Sequence, residues 1–325
     1  MPSGCERVET VTVADDGQKM EGAAPRTGEF GDLDHCISAP SQVAFLIAGA
    51  SGEGCGKGYM ERIETEVTRL SAGTMKLEIH ANKQAAGAAA ARATAEAMHR
   101  LDQLGNDFAI IFATGASQID MLRSLTSVPG LPWSRVQGFH LDEYVGLDEN
   151  HPASFRRYLR EKLTQRVAMR DFFEIDGNAK DIANFCLDYV HKLELANPQL
   201  CLLGIGENGH LAFNDPAEAD FDDPQGMKMV TLDRTCRQQQ VAEGWFRNWQ
   251  EVPEHALTLT MPTMFRIPKL IVTVPGSRKA QAVRRTIEEP IAAHCPSTLL
   301  RRHPDVTLYL DVDSASELNG RSLVR

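Results

Sequence analysis

Between Lys83 and Leu310, short apolar runs alternate with longer helix-forming stretches, and this alternation narrows the fold more than any other feature of the chain. The Ala-rich stretch from Lys83 to Leu104 lacks Pro and is a helix by propensity. Phe108 to Ala113 follows as an apolar run, Thr114-Gly115-Ala116-Ser117 breaks it, and a second helix runs through Leu125. Val136 to Leu141 is the next strand candidate, and a helix follows from His151 to about Leu163. Phe172 to Ile175, a helix over 180–195 and Leu200 to Ile205 continue the series, and Leu270 to Val274, a helix near 278–287 and Val306 to Leu310 complete it. The pattern predicts an α/β fold, a mostly parallel sheet with helices on both faces. Such sheets bind ligands in loops at the carboxyl ends of their strands.

The first 74 residues stand apart from this series. They hold 12 acidic and 6 basic side chains and 11 of the 25 glycines, so most of the chain's net charge of −10 sits there. They read as a flexible, acidic, Gly-rich extension, which leaves one catalytic domain over 75–325. A chain beginning at Met75 is accordingly expected to fold with an unchanged midpoint. Gly49 to Gly58 imitates a phosphate loop, but Ser51 stands where the pattern needs Gly, and Gly58 where a hydroxyl must bind magnesium. The stretch reads as a linker. Residues 59–70 are expected to form a short helix, with Met60, Ile63, Val67 and Leu70 on one face.

Several function classes drop out. No basic stripe exists to neutralise phosphates, so no nucleic-acid partner is expected. The apolar run from Val43 to Ala50 is far shorter than the ~20 residues that span a bilayer. It also sits too deep, behind an acidic stretch, to be the core of a signal peptide. The seven cysteines are scattered without a CxxC, which points to free thiols in a reducing cytoplasm rather than to a zinc ribbon.

Four strand-end loops carry candidate chemistry. Thr114-Gly115-Ala116-Ser117, between a strand and a helix, suits an anion such as phosphate. Leu141-Asp142-Glu143-Tyr144 places two carboxylates at a strand end, one of which could act as a general base. The stretch from Gly204 to Pro216 packs three glycines, His210, Asn208, Asn214, Glu207 and Asp215 directly after an apolar strand. A His so placed can be oriented and tuned by nearby carboxylates. In Pro275-Gly276-Ser277-Arg278-Lys279, a Lys at a helix start can reach a phosphate as a point charge.

Together these motifs resemble the glucosamine-6-phosphate deaminase (isomerase) family, in the group that includes 6-phosphogluconolactonase. The resemblance runs from about Met75 to Leu318. It rests on Ala-Thr-Gly-Ala-Ser (113–117), Leu-Asp-Glu-Tyr-Val-Gly-Leu (141–147), Gly-Glu-Asn-Gly-His-Leu-Ala-Phe-Asn-Asp-Pro (206–216) and Gly-Ser-Arg-Lys-Ala (276–280), which occur in family order. It implies a modified Rossmann-like fold and the conversion of glucosamine 6-phosphate and water to fructose 6-phosphate and ammonia. No metal or other cofactor is expected. Asp142 would move a proton between C2 and C1, and His210 would open the sugar ring, oriented by Asn208 and Asp215. Thr114, Gly115, Ala116 and Ser117 would cradle the phosphate, and Lys279 would pair with it. The implied partner is a small amino-sugar phosphate in the cytoplasm, and a homo-oligomer is compatible with the sequence.

Three departures bear on this resemblance. Asn208 stands where many members have Asp. Asp215 replaces the usual Glu, which withdraws the carboxylate by roughly 1.5 Å and is expected to weaken or retune its link to His210. The Arg with which some members bind phosphate matches neither Arg234 nor Arg237 clearly. Two alternatives therefore accompany the main reading: a lactone hydrolase of the 6-phosphogluconolactonase type, and a non-catalytic sugar-phosphate sensor. Tyr144 and the Phe213-Asn214 pair speak against the lactonase, and the retention of Asp142 and His210 against the sensor.

Overall fold

Two β-sheets of unequal size position the strand-end loops in residues 67–319, the part of the chain that the computed structural model describes. The strands are β1 (Thr68–Ala72), β2 (Met75–His80), β3 (Phe108–Phe112), β4 (Val136–His140), β5 (Asp142–Tyr144), β6 (Asp171–Phe173), β7 (Leu200–Leu203), β8 (Met227–Thr231), β9 (His255–Leu259), β10 (Lys269–Val274) and β11 (Val306–Asp311). The helices are α1 (Lys83–Asp102), α2 (Ile119–Thr126), α3 (Phe155–Leu159), α4 (Ile182–Ala196), α5 (Arg234–Ala242), α6 (Met261–Phe265) and α7 (Ala280–Glu288). The larger sheet has the order β1-β2-β11-β10-β7-β3-β4-β6. Only the β1–β2 pair in it is antiparallel. The smaller sheet, β5-β9-β8, is antiparallel throughout.

The expected parallel α/β architecture is present, and side-chain alternation explains why both faces are covered. On β3, Phe108, Ile110 and Phe112 join one apolar layer, while Ala109 and Ile111 join the other. β7 divides in the same way, Leu200 and Leu202 against Cys201 and Leu203. The first layer is closed by α1 and α2, through Met98, Met121, Leu122 and Leu125. The second is closed by α4, α6 and α7, through Leu193, Met264, Val283 and Ile287. Period-two strands buried on both faces read as unbroken apolar runs, which is how they appear in the sequence. The alanines of α1 serve close packing against α2: a Cβ added at Gly87 would come within 2.9 Å of Asp120 Cβ and of the Met121 backbone nitrogen. Asn82 caps α1, accepting a 2.9 Å bond from the Ala85 amide.

Two expectations change. Thr68–Ala72, assigned to the extension and to a helix over 59–70, is the edge strand β1, paired with β2 from Thr68↔Ile79 to Ala72↔Met75. The boundary at 74/75 thus cuts a hairpin. The Thr74 hydroxyl also donates to the backbone oxygens of Arg301 and His303, at 3.0 and 2.7 Å. The rest of the expected helix and the phosphate-loop imitation at 49–58 lie outside the described residues. The second departure is the small sheet itself. Its strands are short and come from three distant parts of the chain, so no local period marks them. The four described cysteines, Cys186, Cys201, Cys236 and Cys295, are free and buried. Among the described residues, no helix is long and apolar enough to cross a membrane.

Candidate active site

An open cleft of about 560 Å³ lies where β3, β4, β7 and β10 end. Thr114, Gly115, Ala116, Ser117, Asp142, His210 and Lys279 all line it. Asn208 and Asp215 are not in its lining and bond to His210 from behind.

Two similar turns form one end. Gly115 has φ 92° and is followed by a 3₁₀ turn, Ala116–Gln118, that runs into α2. Gly276 also has φ 92° and is followed by a 3₁₀ turn, Ser277–Lys279, that runs into α7. A side chain at either φ would be strained, so the glycines set the turns. The tip of β7 lies between them in the sheet order, and its neighbour Gly204 leaves room for the first turn. A Cβ there would stand 2.9 Å from Ser117 Oγ. Gln118 ties the first turn to β7, its amide donating to Leu203 O at 3.1 Å and to Ser117 Oγ at 3.2 Å. Lys279 is 8 % exposed, and burial lowers its proton affinity despite the opposing carboxylates of Glu243 and Glu207.

The His210 dyad is built by its own loop. A Cβ at Gly206 would lie 2.2 Å from the imidazole, so only Gly admits the ring. The Asn208 side chain accepts from His210 N at 3.0 Å and donates to Asp215 Oδ1 at 2.9 Å. His210 Nδ1 lies 2.9 Å from the same Asp215 oxygen, an ion-pair distance at which the ring N–H is not aligned for a hydrogen bond. That short distance pairs Nδ1 with the carboxylate and leaves Nε2 free of it. Asp215 is fully buried. Burial alone would raise its proton affinity, but the imidazole and hydrogen bonds from His210, Asn208 and the Cys236 thiol outweigh burial and hold the carboxyl below its usual range. The shorter side chain does not lose its link to His210. A tight turn brings it back: Leu211 and Asn214 form a bridge, Ala212 takes φ 52°, and the Asn214 amide donates to Leu211 O and Leu259 O.

The adjacent carboxylates of β5 have opposite surroundings. Glu143 accepts four bonds, from Tyr144 N, Phe155 N, Arg156 N and Ser154 Oγ, all at 2.9–3.2 Å. It therefore anchors the start of α3. The Asp142 carboxylate lines the cleft and has no hydrogen bond among the described residues. Burial, and then the charge of Glu143, push its pKa well above the usual carboxylate range. His140 fixes the backbone here: Nδ1 donates to Asp142 O at 3.0 Å, and Nε2 accepts from Ile175 N at 2.6 Å. Burial pushes its pKa down to about 3, so it stays neutral in this role.

Sequence reasoning missed α5. Neither Arg234 nor Arg237 lines the cleft. Arg237 is buried over the Trp249 ring and donates to Trp249 O and Val252 O. The residues that α5 and the following turn turn toward the cleft are Gln239, Gln240 and Glu243. The Arg-rich run Arg234 to Arg237 masked them, and only the helical spacing of 239, 240 and 243 could have revealed them. His210, Asp215 and Cys236 offer ligand atoms within 4.8 Å of one another, the set among the described residues that could converge on a cation. The carboxylate lies 2.9 Å from the His210 nitrogen and accepts from the Asn208 amide, so a buried acid–imidazole pair accounts for the cluster.

Known proteins share both sequence and shape with this chain. A glucosamine-6-phosphate deaminase of Arthrobacter sp. (strain FB24) is 36 % identical over 230 residues, which cover 69 % of this chain and 86 % of that protein. One from Listeria monocytogenes serotype 4a is 36 % identical over 179 residues, covering 55 % and 74 %. A solved monomeric glucosamine-6-phosphate deaminase superposes with a TM-score of 0.68 at 28 % identity, covering 74 % of this chain and 99 % of that one. The 6-phosphogluconolactonase of Trypanosoma brucei shares the fold, with a TM-score of 0.62 at 19 % identity over 75 % and 98 %. The profile of the glucosamine-6-phosphate isomerases/6-phosphogluconolactonase family matches residues 81–309. The chain belongs to that family.

Proposed function

We propose that this chain is a glucosamine-6-phosphate deaminase, converting glucosamine 6-phosphate and water to fructose 6-phosphate and ammonia. The observation that carries the reading is Asp142: a buried carboxylate, free of hydrogen bonds, in the same cleft as an oriented His–Asp pair and two anion-suited turns. The raised proton affinity suits a group that must take a proton and give it back in one site.

The roles follow from position. The turn from Thr114 to Ser117 and the Lys279 ammonium hold the phosphate, which orients the sugar from a distance. His210 Nε2 takes the proton of the anomeric hydroxyl and delivers it to the ring oxygen, with Asp215 and Asn208 holding the ring and its tautomer. Asp142 removes the C2 proton of the open-chain aldehyde, and the electron pair forms a C1–C2 enol. The proton returns at C1, the amine-bearing C2 becomes an iminium carbon, and water displaces ammonia to leave the ketone. No step needs a metal, and activity in the presence of a chelator is expected. A small sugar-phosphate substrate fits a cytoplasmic location.

The test is a panel of substrates with the purified full chain and EDTA. Ammonia release from glucosamine 6-phosphate, with no hydrolysis of 6-phosphogluconolactone, is the expected result. Lactone hydrolysis without ammonia release would transfer the site to the lactonase branch. Binding without turnover of either would make the protein a sensor.

A further inference from the structure

A carboxylate stands in the part of the cleft assigned to phosphate. Glu243 has a side chain only 8 % exposed, and its Oε1 lies 3.8 Å from Lys279 Nζ. Both its oxygens are held. Gln239 Nε2 donates to Oε1 at 2.8 Å, and Trp245 Nε1 donates to Oε2 at 3.2 Å. Gln239 is held in turn, accepting from Glu207 N at 2.9 Å. Trp245 packs edge-on against Tyr158, whose hydroxyl donates to Gly115 O at 3.0 Å. One contact chain thus joins Lys279 of the second turn to Gly115 of the first through Glu243, Trp245 and Tyr158. The other cation here, Arg278, is offset by Glu207, with Nε 3.6 Å from Oε1. Around this end, Lys279 and Arg278 each face a carboxylate, and the Gly276 amide of the second turn already donates to Asp311 at 3.0 Å.

We infer that Glu243 is a specificity-determining residue that competes with the substrate's phosphate for Lys279, so that an anion binds only by separating this ion pair. The inference rests on the reading of this end as the phosphate end. Like charges within a few ångströms in a partly desolvated site repel strongly. Glu243 therefore weakens the binding of every dianion, and a weakly bound fragment such as inorganic phosphate suffers most. A whole sugar phosphate adds contacts elsewhere in the cleft and overcomes the competition. The arrangement selects against phosphate alone in favour of phosphate attached to a sugar that fills the remaining space. Trp245, bonded to the contested carboxylate, reports the event.

The experiment measures the dissociation constant of inorganic phosphate by calorimetry and by tryptophan emission, on the full chain. Glu243→Gln keeps the shape and removes the charge, and is expected to tighten phosphate binding about tenfold or more. Glu243→Asp keeps the charge and is expected to stay within about threefold of wild type. The gain should vanish when Lys279→Met is added, since the two residues act through one contact. Phosphate should shift the emission of the wild type and not of Trp245→Phe. Unchanged or weaker phosphate binding in Glu243→Gln, in protein whose near-ultraviolet circular dichroism is native, overturns the inference. So does a raised KM for glucosamine 6-phosphate with phosphate affinity unmoved, which would make Glu243 a ligand of the sugar. Turnover of glucosamine 6-phosphate by the wild type is scored separately, so a failed inference is distinguishable from a failed functional reading.

Discussion

The two ends of the cleft are built by different means. The end proposed to hold the phosphate repeats one local device, a glycine at φ 92°, a 3₁₀ turn and a helix, after β3 and again after β10. The proton end has no such unit. Asp142 comes from a three-residue strand of the second sheet, and His210 from a loop held by Gly206, Asn208 and Asp215. On the proposed reading, local backbone geometry together with Lys279 makes the anion site, and short-range sequence encodes the turns. Proton transfer needs one carboxylate left without partners beside another that is saturated with them. Long-range packing decides which of Asp142 and Glu143 that is.

If the two ends are separable in this sense, substitutions should divide cleanly between them. The largest effect is expected at the proton end. Asp142→Asn should lower ammonia release by about 10³-fold while phosphate affinity, measured by calorimetry, stays within about threefold. A comparable loss of phosphate binding would show that the ends are coupled. Gly206→Ala places a methyl against the imidazole, and should lower kcat by about 10²-fold through the displaced His210 with less effect on KM. A kcat near wild type would show that the loop relaxes around the ring. Lys279→Met should act at the other end, raising KM by roughly 10- to 100-fold and changing kcat less. Equal falls in kcat and kcat/KM would place Lys279 in the transition state instead.

Two smaller effects concern stability. The proton affinity of Asp142 is higher in the folded than in the unfolded chain. Its contribution is fully present below the unfolded pKa, near 4, and is lost as pH rises through the folded pKa. Asp142→Asn carries no charge to bury, so it should melt above wild type at pH 7, with the gap closing as pH falls toward 4. Each kcal/mol gained would raise the midpoint by about 2–4 °C. Thermal melts at both pH values check the sign. Starting the chain at Met75 removes β1, with Ala72 buried and Leu70 packed against the core, and should lower the midpoint by roughly 2–6 °C. An unchanged midpoint would mean that β1 contributes nothing.

What was readable in advance follows the same division. β2 and α6 went unassigned, whereas the parallel strands from β3 onward, most of their helices and all four loops could be read because each is a local run with its own period or turn chemistry. Phe108–Phe112 and the Gly115 turn are examples. β5, β8 and β9 could not be, because they form a sheet only by meeting across the chain. β1 was hidden inside an acidic, Gly-rich stretch whose composition outweighed five residues of strand. The resemblance singled out Asp142 and His210, but residue type and spacing by themselves did not separate Asp142 from Glu143. That distinction rests on Ser154, Phe155 and Arg156, which arrive more than ten residues later to saturate Glu143. Glu243 was missed because two arginines nearby drew attention as phosphate ligands, and one of them proves to be a clamp on Trp249 and Val252.

Asp142, rather than its neighbour, is expected to take the proton from C2. Glucosamine 6-phosphate carrying deuterium at C2 tests it most directly, with nuclear magnetic resonance following the label. Deuterium should leave C2 with the wild type, and should remain there through prolonged incubation with Asp142→Asn at saturating substrate. Loss of the label at the wild-type rate in that variant would exclude Asp142 as the base.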